Sequence, residues 1–136
     1  MIRIYRYNVE DESYLAVDGR DVTIPRFRDR RTVHALCMMN SLDGVIILDK
    51  SDKADFSLEF YGKDGNPADA PTSCACVSVA FADLLGVKPF HSKDYTLQTR
   101  DGAIHQASIN SHLGECKMVQ LQGTEPLSVM CDGEFD

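Results

Sequence analysis

The sequence has no apolar run approaching the ~18 residues that a membrane-spanning helix needs. Its opening, Met1-Ile2-Arg3-Ile4-Tyr5-Arg6, alternates charged and apolar residues. This is not a basic start followed by an apolar stretch, so no secretion signal is expected. Positive charge is in short supply: fourteen Lys and Arg stand against twenty-one Asp and Glu, a net charge of −7. Direct nucleic-acid binding is driven mainly by Lys and Arg displacing counterions from phosphate, and this balance argues against it. No CxxC pair is present, and Cys74-Ala75-Cys76 has the wrong spacing for a zinc site or a thioredoxin-like redox centre. His105, His112 and Cys116 do not have a familiar ligand spacing either, so no metal or other cofactor is expected. There is no internal repeat and no linker.

What is there describes an ordinary globular chain. Of its 136 residues, 43% are apolar and 26% charged, which is enough for one domain with a core and short for two. One domain over residues 1–136 is expected. Five cysteines, an odd number, without an export signal point to free thiols in a reducing cytoplasm. The charge is uneven. Residues 1–31 carry seven basic and six acidic side chains, whereas residues 32–136 carry seven basic and fifteen acidic. An acidic surface of this kind steers toward basic partners, including proteins that normally hold DNA or RNA.

Hydrophobic periodicity places the elements. Alternation over residues 1–7 and an apolar stretch over 14–17, closed by Asp18-Gly19, predict two strands. Residues 25–39 form a mixed stretch compatible with a helix, holding the basic run Phe27-Arg28-Asp29-Arg30-Arg31, a solvated face or an anion or partner contact. Val45-Ile46-Ile47-Leu48 predicts a strand buried on both faces. Phe56, Leu58 and Phe60 predict one buried on a single face. Lys63-Asp64-Gly65-Asn66-Pro67 is a tight turn by composition. Residues 72–86 form the clearest helix. Thr72 and Ser73 are suited to its N-cap, Val77, Ala80, Phe81, Leu84 and Leu85 recur at helical spacing, and Gly86 stops it. Its other faces carry the small residues Ala75, Ser78 and Ala82, so it can be enclosed on several sides. Strands over 95–99 and 103–109 are joined by Arg100-Asp101-Gly102, another is expected over 117–121, and the acidic tail 132–136 is expected to fray. Strands around one enclosed helix, plus a second helix, make an α+β fold.

Several short segments in this order resemble diaminopimelate epimerase, in its N-terminal half. Ser51-Asp52-Lys53-Ala54-Asp55-Phe56, then Phe60-Tyr61 and Asp64-Gly65, resembles the approach to that family's catalytic cysteine loop. Tyr14-Leu15-Ala16-Val17-Asp18 is similar to its second strand, and Leu42-Asp43-Gly44-Val45-Ile46-Ile47 to a later strand entry. The resemblance covers roughly residues 1–121. It implies a curved, mostly antiparallel sheet wrapped around a central helix, as one of two similar halves with an active site between them. In that family one cysteine removes an α-proton and another, on the opposite half, returns it. Helix N-termini hold the substrate carboxylate. Here the cysteine position falls on Pro71, an asparagine position on Gly62, and a second asparagine position near Glu12.

Two functions follow as expectations. The first is a non-catalytic acidic protein that occupies the basic, nucleic-acid-binding surface of a partner, of the kind anti-CRISPR inhibitors cover. Its candidate contacts are Asp43, Asp49, Asp52, Asp55, Glu59, Asp64 and Asp69. The second is an amino-acid racemase or epimerase acting as a homodimer. Its acid/base would be Cys74, activated by its place in the first turn of the helix. A carboxylate site without catalysis at Thr72 and Ser73 is a third possibility.

Overall fold

The computed structural model describes residues 2–20, 25–89, 92–113 and 116–135, with residues 111–113 described in backbone only. Strands β1 (Ile4–Val9) and β2 (Glu12–Asp18) form a hairpin whose tip places Glu10 at φ 53°. A short 3-10 turn, Pro25–Arg28, leads into α1 (Arg30–Asn40). Asp29 caps α1 by accepting from the Thr32 N–H at 3.1 Å. Strands β3 (Gly44–Asp49), β4 (Phe56–Gly62) and β5 (Pro67–Ala68) follow, then α2 (Thr72–Leu85). The chain ends with β6 (Asp94–Gln98), β7 (Ile104–Leu113), β8 (Cys116–Leu121) and β9 (Leu127–Glu134).

Eight of these strands close into a barrel in the order β3-β2-β1-β9-β8-β7-β6-β4, sealed by the β3–β4 pairing. β5 is added to the free end of β4. The β2–β3 and β4–β6 pairs are parallel and the other pairs antiparallel, so the curved sheet is mixed and mostly antiparallel. Closure leaves few free edges for another chain to extend.

Helix α2 fills the barrel. Every residue from Ser73 to Ala82 is buried, which explains why its sequence carries little polar character on any face. Phe81 sits between Tyr5 and Tyr7, with ring centroids 6.0 Å from each. The small residues Ala75, Ser78 and Ala82 let strands approach on the other sides. The Ser78 hydroxyl donates to the Ala75 carbonyl at 2.6 Å, so this buried polar group is satisfied.

A second core lies outside the barrel, under α1. Leu15 and Val17 of β2, and Val45 and Ile47 of β3, pack with Phe27, Val33 and Cys37, while their neighbours Ala16, Ile46 and Leu48 face α2. The apolar run of β3 is therefore buried on both faces, as its composition predicts. Gly44 is required by this packing: a Cβ there would meet the Phe60 ring and stand 2.7 Å from the Tyr61 carbonyl oxygen.

Two expectations are corrected, and the helix expected within residues 25–39 is given its bounds. The tail does not fray through residue 134. β9 runs to Glu134 and pairs with both β1 and β8, because Val129 faces inward and closes the core. The 25–39 stretch divides into a 3-10 turn and a helix at Asp29. The N-cap of α2 is Pro71, which offers no side-chain bond, and Thr72 is already the first helical residue.

Candidate functional site

The start of α2 lies at one mouth of the barrel, where β2 begins. Glu12 and Tyr14 are two residues apart on β2 and so share a face. The Tyr14 hydroxyl donates to Glu12 Oε2 at 2.8 Å, and Ser73 Oγ donates to Glu12 Oε1 at 3.2 Å. The two hydroxyl oxygens are 3.1 Å apart. Alongside, Asp43 accepts from the Ser13 N–H at 2.9 Å, and Ser13 Oγ donates to Asn8 Oδ1 at 2.6 Å. Of the two predicted ligand-binding residues, Thr72 is exposed, whereas Ser73 is buried and bonded to Glu12.

Cys74 does occupy the first turn of α2, but it is 0% exposed. Helix position alone would favour the thiolate. Burial overrides that preference and pushes the Cys74 thiol far above its ordinary range. The hydroxyls of Tyr14 and Ser73 act the other way, and the carboxylates of Glu12 and Asp43 add to the rise. Cys76 points to β8, where its Sγ donates to the Val119 carbonyl at 3.7 Å, and burial holds its thiol up at about 11. Cys37, under α1, is likewise pushed up to about 11, chiefly by burial. Cys116 and Cys131 are partly exposed, and Cys116 Sγ lies 2.8 Å from Ser128 Oγ.

The seven predicted acidic contacts separate into two groups. Asp49 and Glu59 both bind Arg28, at 3.3 and 3.1 Å. Asp55 pairs with Lys88 at 3.4 Å and accepts from the Thr96 N–H, and Asp43 holds Ser13. These four serve the fold. Asp52, Asp64 and Asp69 are exposed, although Asp64 also bonds Asn66 within its turn. The hairpin tip adds exposed Glu10 and Asp11, which the sequence reading did not single out. The basic run around Arg28 is correspondingly less available than it reads: Arg28 is committed to Asp49 and Glu59, and Phe27 is in the core.

At the other end of α2, Asp83 receives Lys117 Nζ at 2.6 Å and the Tyr95 hydroxyl at 3.0 Å. An acid near the negative pole of a helix is unfavourable on its own, and these two donors offset it. A pocket of about 400 Å³ lies between β6, β7 and β8, lined by Thr96, Gln106, Ser108 and Gln120 among others. It includes none of the residues at the start of α2. His105 lies 3.2 Å from Thr99 Oγ1, and the His112 side chain is outside the described residues. Among the described residues, no group of three His, Cys, Asp or Glu could hold a metal, and no helix is long and apolar enough to cross a membrane.

No family model matches the chain. Diaminopimelate epimerase of Flavobacterium psychrophilum is 23% identical over 131 residues, covering 94% of this chain and 48% of that protein. Among solved structures, a phenazine biosynthesis protein of the PhzF family from Bacillus anthracis superposes with a TM-score of 0.66 at 12% identity, covering 89% of this chain and 40% of that one. A methylitaconate-delta-isomerase gives 0.64 at 12% identity, covering 97% and 42%. A probable proline racemase from Agrobacterium radiobacter K84 gives 0.61 at 15% identity, covering 88% and 41%. The chain thus spans about half the length of the epimerase and about two-fifths of each structure. Its α+β barrel around a central helix is the diaminopimelate epimerase-like fold, in the extent of a single half.

Proposed function

We propose that this chain is a non-catalytic acidic binding protein built on an epimerase-like half, and that it occupies a basic, nucleic-acid-binding surface of a partner in the cytoplasm. The observation that carries the non-catalytic part is the closure of the helix start. Its thiol, Cys74, is fully buried and held protonated, and a carboxylate from the same chain stands beside it. A proton-transfer group must reach the proton it moves. The binding part rests on charge. With −7 overall, Asp52, Asp64, Asp69, Glu10 and Asp11 project into solvent. Fixed negative charge accelerates encounter with a basic surface and competes with a polyanion for it. An effector complex of the kind anti-CRISPR proteins inhibit is one such partner.

The test is capture of partners from a lysate rich in nucleic-acid-binding complexes, followed by association rates over a salt series. The expected result is a basic protein whose association slows with salt, and which reversing Asp64 and Asp69 to Lys releases. Binding indifferent to salt and to both reversals contradicts the proposal.

A second reading is favoured by the racemase and isomerase neighbours: a homodimeric isomerase with Cys74 as acid/base. It requires Cys74-dependent exchange of an amino-acid α-proton with solvent. A wide panel of amino acids without exchange removes it.

A further inference from the structure

Toward the end of α2 the barrel holds a buried polar group that the fold does not satisfy. Tyr7 of β1 is 2% exposed and stacks its edge against Phe81. Among the described residues, its hydroxyl is the one buried side-chain oxygen or nitrogen without a partner of hydrogen-bonding geometry. Buried hydroxyls are nearly always paired, so an orphan points to an acceptor that can join it. The side chain beside it is Cys131. Tyr7 and Cys131 stand directly opposite in the β1–β9 ladder and so share the inner face. Cys131 packs against the barrel core yet stays partly exposed. Burial, and after it the Cys131 sulfur, raise the Tyr7 phenol above its ordinary pKa, so the hydroxyl keeps its proton and remains a donor. A thiol sulfur is only a weak acceptor for it. The ladder is irregular at this point: Arg6 pairs with Gly133 and Tyr7 with Cys131, so Asp132 bulges out of β9. A bulge re-aims the side chains next to it.

We propose that Cys131 is a site of oxidation by peroxides, whose sulfenic acid accepts a hydrogen bond from the Tyr7 hydroxyl. The sulfur attacks one peroxide oxygen, an S–O bond forms and the O–O bond breaks. With hydrogen peroxide, the departing oxygen takes the thiol proton and leaves as water. Sulfur is oxidised by two electrons and the peroxide is reduced by two. The new oxygen is a stronger acceptor than the sulfur, and it gives the orphaned hydroxyl its partner. Cys116, the other partly exposed thiol, stands opposite Met130 and so faces away from Cys131. No resolving thiol lies beside Cys131 in the ladder, and the sulfenic acid persists instead of closing a disulfide. The inference concerns this thiol alone. It can fail while the partner-binding reading stands, and the reverse also holds.

The test treats the native full chain with hydrogen peroxide, removes the excess with catalase, and traps sulfenic acid with dimedone after increasing delays. Peptide mass spectrometry reads each cysteine in wild type and in Tyr7→Phe. The expected result in wild type is more dimedone adduct on Cys131 than on Cys116. In Tyr7→Phe the trappable sulfenic acid at Cys131 decays about fivefold faster, the weight of one hydrogen bond. Iodoacetamide meanwhile alkylates reduced Cys131 at the wild-type rate in this variant, which separates a lost hydrogen bond from altered access. Tyr7→Phe removes only an unsatisfied hydroxyl, so it is expected to unfold at or above the wild-type midpoint. Should it not fold, the wild-type comparison of Cys131 with Cys116 decides alone. Adduct on Cys116 equal to or above that on Cys131 contradicts the proposal. Equal decay in both proteins, or faster alkylation of reduced Cys131 in Tyr7→Phe, also overturns it.

Discussion

Single residues in this molecule are placed by what they must avoid as much as by what they touch. Cys74 has the helix position of a reactive thiol and the burial of a structural one, and burial prevails because an ion there would lose its hydration. Phe81 is the residue on which α2 and β1 are fitted together, wedged between Tyr5 and Tyr7. Phe81→Ala removes a ring from a fully buried place and leaves a cavity that the closed barrel cannot collapse around. The expected loss is about 3–5 kcal/mol. Urea unfolding checks it: the midpoint falls while the slope with denaturant is unchanged.

Among the elements, α2 and β9 differ most in how far they could be read from the chain. α2 was legible because its apolar spacing, small residues and terminal Gly86 all lie within one segment and agree. The two-sided burial of β3 was legible for the same reason. β9 was not. Leu127, Val129 and Cys131 alternate with polar or exposed neighbours, but the strand ends in Asp132-Gly133-Glu134, a composition that reads as tail. Its place depends on β1, the far end of the chain, which no local pattern reports. The carboxylate contact at α2 was hidden likewise. The departure near Glu12 was visible in the resemblance, but its partner Ser73 lies sixty-one residues away. The Asp83–Lys117–Tyr95 group joins three elements and left no sequence signal of its own. If β9 is the closing stave, deleting residues 127–135 opens the barrel between β1 and β8. The expected outcome is loss of cooperative unfolding by circular dichroism. A deletion that keeps a wild-type transition contradicts that placement.

On the scale of the whole molecule, charge and closure act together. The barrel pairs its own strands and encloses its central helix, and the exterior carries the net negative charge. Some of those acids also stabilise the fold. Asp29 is held below its ordinary pKa by the Thr32 hydroxyl and N–H, Asp64 by the Asn66 N–H and side chain, and Asp101 by the Thr99 hydroxyl and the Ala103 N–H. A carboxylate with a depressed folded pKa stabilises above its unfolded pKa, and that contribution is lost as pH falls through the folded value. The unfolding midpoint should therefore drop as pH falls below about 4, and the positive charge that builds up below the isoelectric point of about 5.0 adds to the loss. Asp29→Asn, which keeps a capping side chain but cannot titrate, should show a shallower acid decline. An unchanged acid limb in that variant contradicts the assignment.

The sealed thiol is the point on which the non-catalytic reading turns, and thiol reactivity addresses it most directly. Native protein is alkylated with iodoacetamide and each cysteine is followed by peptide mass spectrometry. The account predicts that Cys116 and Cys131 label first, and that Cys74 labels only as fast as the whole domain unfolds. Labelling of Cys74 in the native state as fast as Cys116 would contradict it.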